Sequence, residues 1–160
     1  LLGVWQQVPT DTALLAPTYD TVIPPRVASM TFTIGGTAYR IGSFEFSPNN
    51  EMYLREDVTN ASGYFAGCIA NRKPTFKCSV EATLLATKDW HAAHLAGTEA
   101  AISLVIGGTA GNICTIAMPK AQLMEVPQDE DAGGTLKHSL TFQLNKNAAA
   151  GDDEVSFSFT

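Results

Sequence analysis

From residue 28 onward, apolar and polar residues alternate with a period of two. Met30, Phe32 and Ile34 interleave with Thr31 and Thr33, and Gly35-Gly36 then supplies a two-residue hairpin turn. A return strand runs through TAYRIGSFEF and closes at Pro48-Asn49-Asn50. Phe76, Cys78, Val80, Ala82 and Leu84 alternate with Lys77, Ser79, Glu81 and Thr83. Ile102, Leu104 and Ile106 precede Gly107-Gly108, and NICTIAM resumes after Gly111, a second hairpin. Leu136, His138, Leu140, Phe142 and Leu144 form another alternating run, and Val155, Phe157 and Phe159 form the last. About eight strands with one apolar face each predict a mainly β fold, an antiparallel β-sandwich or barrel.

One stretch breaks the period. Residues 87–97 (TKDWHAAHLAG) offer Thr87 as an N-cap, an acid in the first turn, helix-favouring alanines and Gly97 as a stop. They predict a single inserted α-helix of about two to three turns. Trp90, Ala93, His94 and Gly97 share its inner face, so Trp90 is expected to pack on the sheet.

Residues 1–27 read differently again. Pro9, Pro17, Pro24 and Pro25 exclude helix interiors and central strands. Trp5, Leu14, Leu15, Tyr19 and Ile23 are too apolar for a solvated tail. The expected organisation is an extended N-terminal arm or interdomain linker over 1–27, lying on its own domain or a neighbour, followed by one β-sandwich domain over 28–160. LLGVWQQ has neither a charged leader nor a long apolar run, so no signal peptide is visible.

Composition narrows the function classes. Apolar residues make up 45% of the 160 and charged residues 16%, which argues against a disordered chain. No apolar run approaches the ~18 residues that would cross a bilayer. Sixteen acids against ten bases give a net charge of -6, the wrong sign for gripping nucleic acid through its phosphates. Three cysteines, Cys68, Cys78 and Cys114, are too few for a disulfide scaffold and read as reduced thiols on or beside apolar strand faces.

Candidate chemistry is thin. His91 and His94 stand three apart beside Asp89, without a third ligand at a metal-binding spacing. His138 lies on the apolar face of a strand, where a hydrogen-bonded histidine at the core's edge is expected. The glycines of IGGTAGN lack the Gly-Lys-Ser/Thr ending and following helix of a phosphate loop. The acidic loop QDEDAGG lacks the spacing of a calcium loop. No GxSxG elbow is present. The expectation is a protein that is not an enzyme and carries no cofactor or metal.

Charge is distributed unevenly. From Glu125 to the end there are seven acids and two lysines. The acids concentrate in two predicted loops, one with Asp129, Glu130 and Asp131, the other with Asp152, Asp153 and Glu154. NRKPTFK gathers Arg72, Lys73 and Lys77 with no acid among them. Such separation suits a head-to-tail contact between copies, in which these acidic and basic groups meet across subunits or stacked rings.

The run GCIANRKPTFKCSVEATLLATKDWHAAHLAGT resembles the tail tube (major tail) proteins of long-tailed, non-contractile, Mu-like siphophages. Downstream, GGTAGNICTIAMPKAQL, an acidic Gly-rich loop and LTFQLNKNAAAGDDEVSFSF resemble the family's C-terminal half. Phe76-Lys77-Cys78 departs from the small Gly-Ser pair common at that place. The opening LLGVWQQVPTDTA is similar to a connector between successive domains, so the chain is expected to be a C-terminal domain or fragment of a longer member. The resemblance implies a structural virion protein in the tail, assembled in the bacterial host cytoplasm. Six domains would close each ring, as a hexamer or as a trimer of two-domain chains, and rings would stack into a tube. Its implied partners are a tape measure protein, tail terminator and tip proteins, and genomic DNA passing through the lumen without specific binding, with no membrane. Trp5, Leu14, Leu15 and Tyr19 of the arm would bury against an adjacent domain or ring. Two alternatives stand beside it: a tail-tip or baseplate adaptor ring of the same fold, and a carbohydrate- or ligand-binding β-sandwich. The last is disfavoured because Phe32, Phe142, Phe157 and Phe159 fall on apolar strand faces, leaving Trp5, Tyr53 and Tyr64 for display.

Overall fold

The computed structural model describes residues 27, 30–149 and 151–160. The arm residues Trp5, Leu14, Leu15 and Tyr19 lie outside them. Eleven strands and one helix follow in order: β1 (Met30–Ile34), β2 (Thr37–Ala38), β3 (Ile41–Ser47), β4 (Asn50–Glu56), β5 (Tyr64–Arg72), β6 (Thr75–Glu81), α1 (Trp90–Leu95), β7 (Glu99–Ile106), β8 (Cys114–Leu123), β9 (Gln128–Asp131), β10 (Leu136–Leu144) and β11 (Ser156–Phe159). Every pairing is antiparallel.

Nine strands share one sheet, in the order β2-β1-β7-β8-β10-β6-β3, with β11 added to β8 and β9 to β10. The sheet bends at β8. Residues 114–117 pair with β11, whereas Ala121–Leu123 pair with β10. Between them stands Pro119, which has no N–H to give a ladder, and the β7–β8 register slips there, between Ala100 and Ile102. The bend turns β1, β7 and β8 to face β6 and β10. Phe32 of β1 accordingly stacks on Phe76 of β6, centroids 6.1 Å apart, although the two strands are not neighbours. The fold is thus the expected sandwich, made from one folded sheet.

The core follows the alternation closely. Phe32, Ile34, Phe76, Cys78, Val80, Ile102, Leu104, Met118, Leu140, Phe142 and Leu144 are all buried, each such large apolar side chain contributing about 1.5–3 kcal/mol. Gly35 and Gly36 both adopt positive φ, 58° and 81°, as the first hairpin turn requires. That hairpin is shorter than the sequence suggests. Only Thr37–Ala38 return along β1, and after Tyr39-Arg40 the chain crosses to the other half, where β3 pairs with β6. Leu84 also departs from expectation, because the strand ends at Glu81 and Leu84 is 78% exposed.

The helix is real but shorter than expected. It spans six residues, and its N-cap is Asp89 rather than Thr87, with the carboxylate accepting from the Ala92 amide at 2.8 Å. Gly97, at φ 61°, ends it. Trp90 is buried on the sheet, edge-on to Phe142 and tilted against Tyr39. Asp89→Ala should lower stability by about 1 kcal/mol and the melting temperature by roughly 2–4 °C, measured by thermal unfolding. Among the described residues no helix is long and apolar enough to cross a membrane.

Candidate assembly interface

Strands β4 and β5 form a separate two-stranded sheet outside the folded one. A lone hairpin has no second layer to bury a side, and alternation alone does not reveal it, because apolar residues stand on both faces. Met52 pairs with Ile69 on one face, and Tyr53 with Cys68 on the other. Met52 is 67% exposed and Phe65 64%, while Tyr53, Leu54, Tyr64 and Ile69 are also exposed. Two-stranded ribbons are marginal by themselves. Exposed apolar side chains on both faces, and edges left unpaired among the described residues, make the ribbon a candidate docking surface.

The ribbon is ordered by local polar contacts at both ends. At its tip, Asp57 Oδ1 accepts from the Thr59 hydroxyl at 2.6 Å and from the Thr59 amide at 2.9 Å. These bonds hold the Asp57 carboxyl below its ordinary value, the hydroxyl contributing most. Asn60 turns the chain by accepting from the Ser62 amide. At the base, Asn49, with positive φ, donates from Nδ2 to the Lys73 carbonyl and to Thr75 Oγ1. Arg72 Nη2 donates to Asp152 and, at 2.9 Å, to Glu154. Those two acids, Asp152 first, raise the Arg72 guanidinium further above its already high value.

The last contact changes the expected charge layout. Arg72 and the 152–154 acids are not separate surfaces, because the same chain brings them together. Asp153 is likewise engaged within its loop, accepting from the Asn147 and Ala148 amides. The three acids brace the hairpin's base and close their own loop. Lys73 and Lys77 remain exposed, Lys77 directly across from Glu45 on β3.

Asp129, Glu130 and Asp131 belong to a strand rather than a loop. Gln128–Asp131 pair with Leu136–Ser139 as β9. Acids suit such a position, since charge on an edge strand discourages chance pairing. His138 sits opposite Asp129, with Nδ1 and Oδ1 2.7 Å apart, which gives the expected hydrogen-bonded histidine. His94 Nδ1 lies 3.3 Å from the Leu123 carbonyl, and His91 is exposed on the helix. Among the described residues no group of three His, Cys, Asp or Glu is disposed to hold a metal.

The three cysteines are free thiols. Burial pushes Cys78 up to about 12, so its thiolate is absent near neutrality, and nucleophiles react as thiolates. In the native protein at pH 8, iodoacetamide should alkylate the half-buried Cys68 and Cys114 and spare Cys78, as read by mass spectrometry. Equal labelling of all three would contradict the burial of Cys78.

Phe157 and Phe159 correct the aromatic inventory. Both occupy the apolar face of the sheet, as expected, yet they are 49% and 77% exposed. Tyr53 and Tyr64 are displayed as anticipated, joined by Phe65, whose ring lies 5.4 Å from the Arg55 guanidinium.

The fold is similar to that of the anti-feeding prophage cap, a tube-terminating cap. The TM-score is 0.61 at 13% identity, over 93% of this chain and all of that one. Hcp1 from Flavobacterium johnsoniae aligns at a TM-score of 0.48 and 10% identity, over 82% of this chain and 95% of that one. A search of curated proteins finds no match. A family model described as "phage tail tube protein" matches residues 1–160, arm included. With a whole-chain match on a folded antiparallel sheet, the chain belongs to the phage tail tube protein family and is a structural component of the virion tail.

Proposed function

We propose that the chain is the repeating unit of a tail tube, assembling into rings of six domains that stack around a lumen. The observation that carries this reading is the β4–β5 ribbon, braced at its base and apolar on both faces. A monomer gains nothing from such a surface, whereas a polymer buries it at every subunit. Lys73 and Lys77 on one copy would face the β9 acids Asp129, Glu130 and Asp131 of another and set orientation more than affinity. Arg72, Asp152, Asp153 and Glu154 serve that contact indirectly, by holding the ribbon's direction. The arm, through Trp5, Leu14, Leu15 and Tyr19, would lie across the adjacent subunit.

The net charge of -6 suits a conduit, because an acidic lumen repels phosphate and lets DNA pass without binding. A tape measure protein would fill that lumen before ejection, and tail terminator and tip proteins would close the ends. Assembly would take place in the host cytoplasm, and the role needs no catalysis. A second reading, a ring that caps or adapts a tube instead of forming one, draws support from the likeness to the tube-terminating cap.

Negative-stain electron microscopy of the concentrated protein, at low and moderate salt, separates them. Hollow tubes with a regular axial repeat are expected. Single rings of fixed height would favour the cap. Monomers at every concentration, from the full-length chain as well as from this domain, would overturn both.

A further inference from the structure

Four strands meet in one cross-sheet row at the mouth of the sandwich. Met30 pairs with Ile106, Ile106 with Cys114, and Cys114 with Phe159. The next row inward runs Phe32, Leu104, Ile116, Phe157. Residues two apart on a strand share a face, so Phe157 and Phe159 stand on the face that carries the buried Phe32 and Leu104. From the opposite half, Phe46 approaches Phe157 edge-on at 5.9 Å. Beyond it, Phe159 is left 77% exposed. Beside Phe159 opens a cleft of about 300 Å³ lined by Gly111, Asn112, Ile113 and Thr160.

The chain enters the domain at this same mouth, because Met30 opens β1 on the outer row. From β1 to β11 is three strand spacings, about 14 Å at ~4.8 Å each. About five extended residues, at ~3.3 Å each, cover that distance. Counted back from Met30, they reach Pro24-Pro25, whose fixed φ favours extension. Ile23 follows two residues further on, within about 7 Å of that point when extended.

We propose that residues 21–25 fold back across the mouth of their own domain and seat Ile23 on Phe157, Phe159 and the adjoining cleft. The occupant is the chain's own arm, chosen over a neighbouring copy's because its point of attachment lies within a few residues' reach. Trp5, Leu14, Leu15 and Tyr19 are left free to contact another subunit. A single chain suffices, so the inference stands independently of tube formation.

The test pairs Ile23→Cys with Phe159→Cys, in a chain also carrying Cys68→Ser and Cys114→Ser, oxidised at low micromolar concentration. A disulfide within one chain is expected, seen as a monomer of altered mobility on non-reducing gels and mapped by mass spectrometry. Predominant dimers would overturn docking in the same chain and assign the arm to a neighbour. No cross-link, in a protein with the parental circular dichroism spectrum, would overturn the docking itself. Trypsin supplies a second readout at Arg26, beside the docked segment. Phe159→Asp should speed cleavage there about fivefold or more, and an unchanged rate would count against the proposal. Tubes without the intrachain cross-link would retain the tube reading and sink this one; the cross-link in a chain that never polymerises would do the reverse.

Discussion

A chain carrying Met52→Asp and Ile69→Asp will remain a folded monomer and will not form tubes. The two side chains oppose each other on one face of the β4–β5 ribbon, and both are exposed. In the free subunit Met52 and Ile69 are more than half exposed and oppose each other, so the two substitutions together, repulsion between the facing carboxylates included, should cost no more than about 1–2 kcal/mol. In a polymer, each lost apolar side chain removes about 1.5–3 kcal/mol of burial, and a carboxylate in its place must be desolvated as well. The sum raises the critical concentration for assembly by at least about a hundredfold. Sedimentation of polymer from monomer, beside urea unfolding of the monomer, reads both halves of the expectation. Met52→Leu with Ile69→Val should assemble as the parent does. Normal tube yield from the aspartate variant would remove the ribbon from the interface.

Phe76→Ala should be the most damaging single truncation in the body of the domain. Phe76 is 1% exposed and stacks against Phe32 across the core and Phe44 on the adjacent β3. Its removal leaves a void that both halves of the folded sheet line, and neither can close it without separating from its neighbours. The expected loss is about 3–5 kcal/mol, with the melting temperature down by about 10 °C or more. Phe159→Ala, at the rim of the sandwich, should cost less. A loss below about 1 kcal/mol at Phe76 would mean that the two halves do not pack through it.

The body of the domain was legible because most of its strands bury one face only. Phe76, Cys78 and Val80, or Leu140, Phe142 and Leu144, announce a strand and its inward side together. The ribbon was not, since NEMYLRE and YFAGCIANR carry apolar residues on both faces and so lack a one-sided alternation. Asp129 to Asp131 suggested a loop because acids are poor strand formers, yet pairing with β10 overrides propensity there. The break between β2 and β3 falls at Tyr39-Arg40, where nothing local marks a change of pairing partner. Arg72 stands out by its charge, but its partners lie about 80 residues away, a distance that no local pattern spans. Cys78 was placed correctly, because the alternation that buries it also makes it unreactive.

The strand order has a consequence for how the chain is made. β1 has only the two residues of β2 beside it until β7 exists, about 70 residues later. At a synthesis rate of ~5–20 residues per second, that wait lasts roughly 4–14 s. During it Phe32 and Ile34 lack their main cover, while the β4–β5 ribbon has already left the ribosome. Sibling nascent chains on one message would therefore expose sticky strands side by side before any of them could close. Slower translation or lower chaperone supply should divert this protein into insoluble aggregates, although the finished domain buries both Phe32 and Ile34.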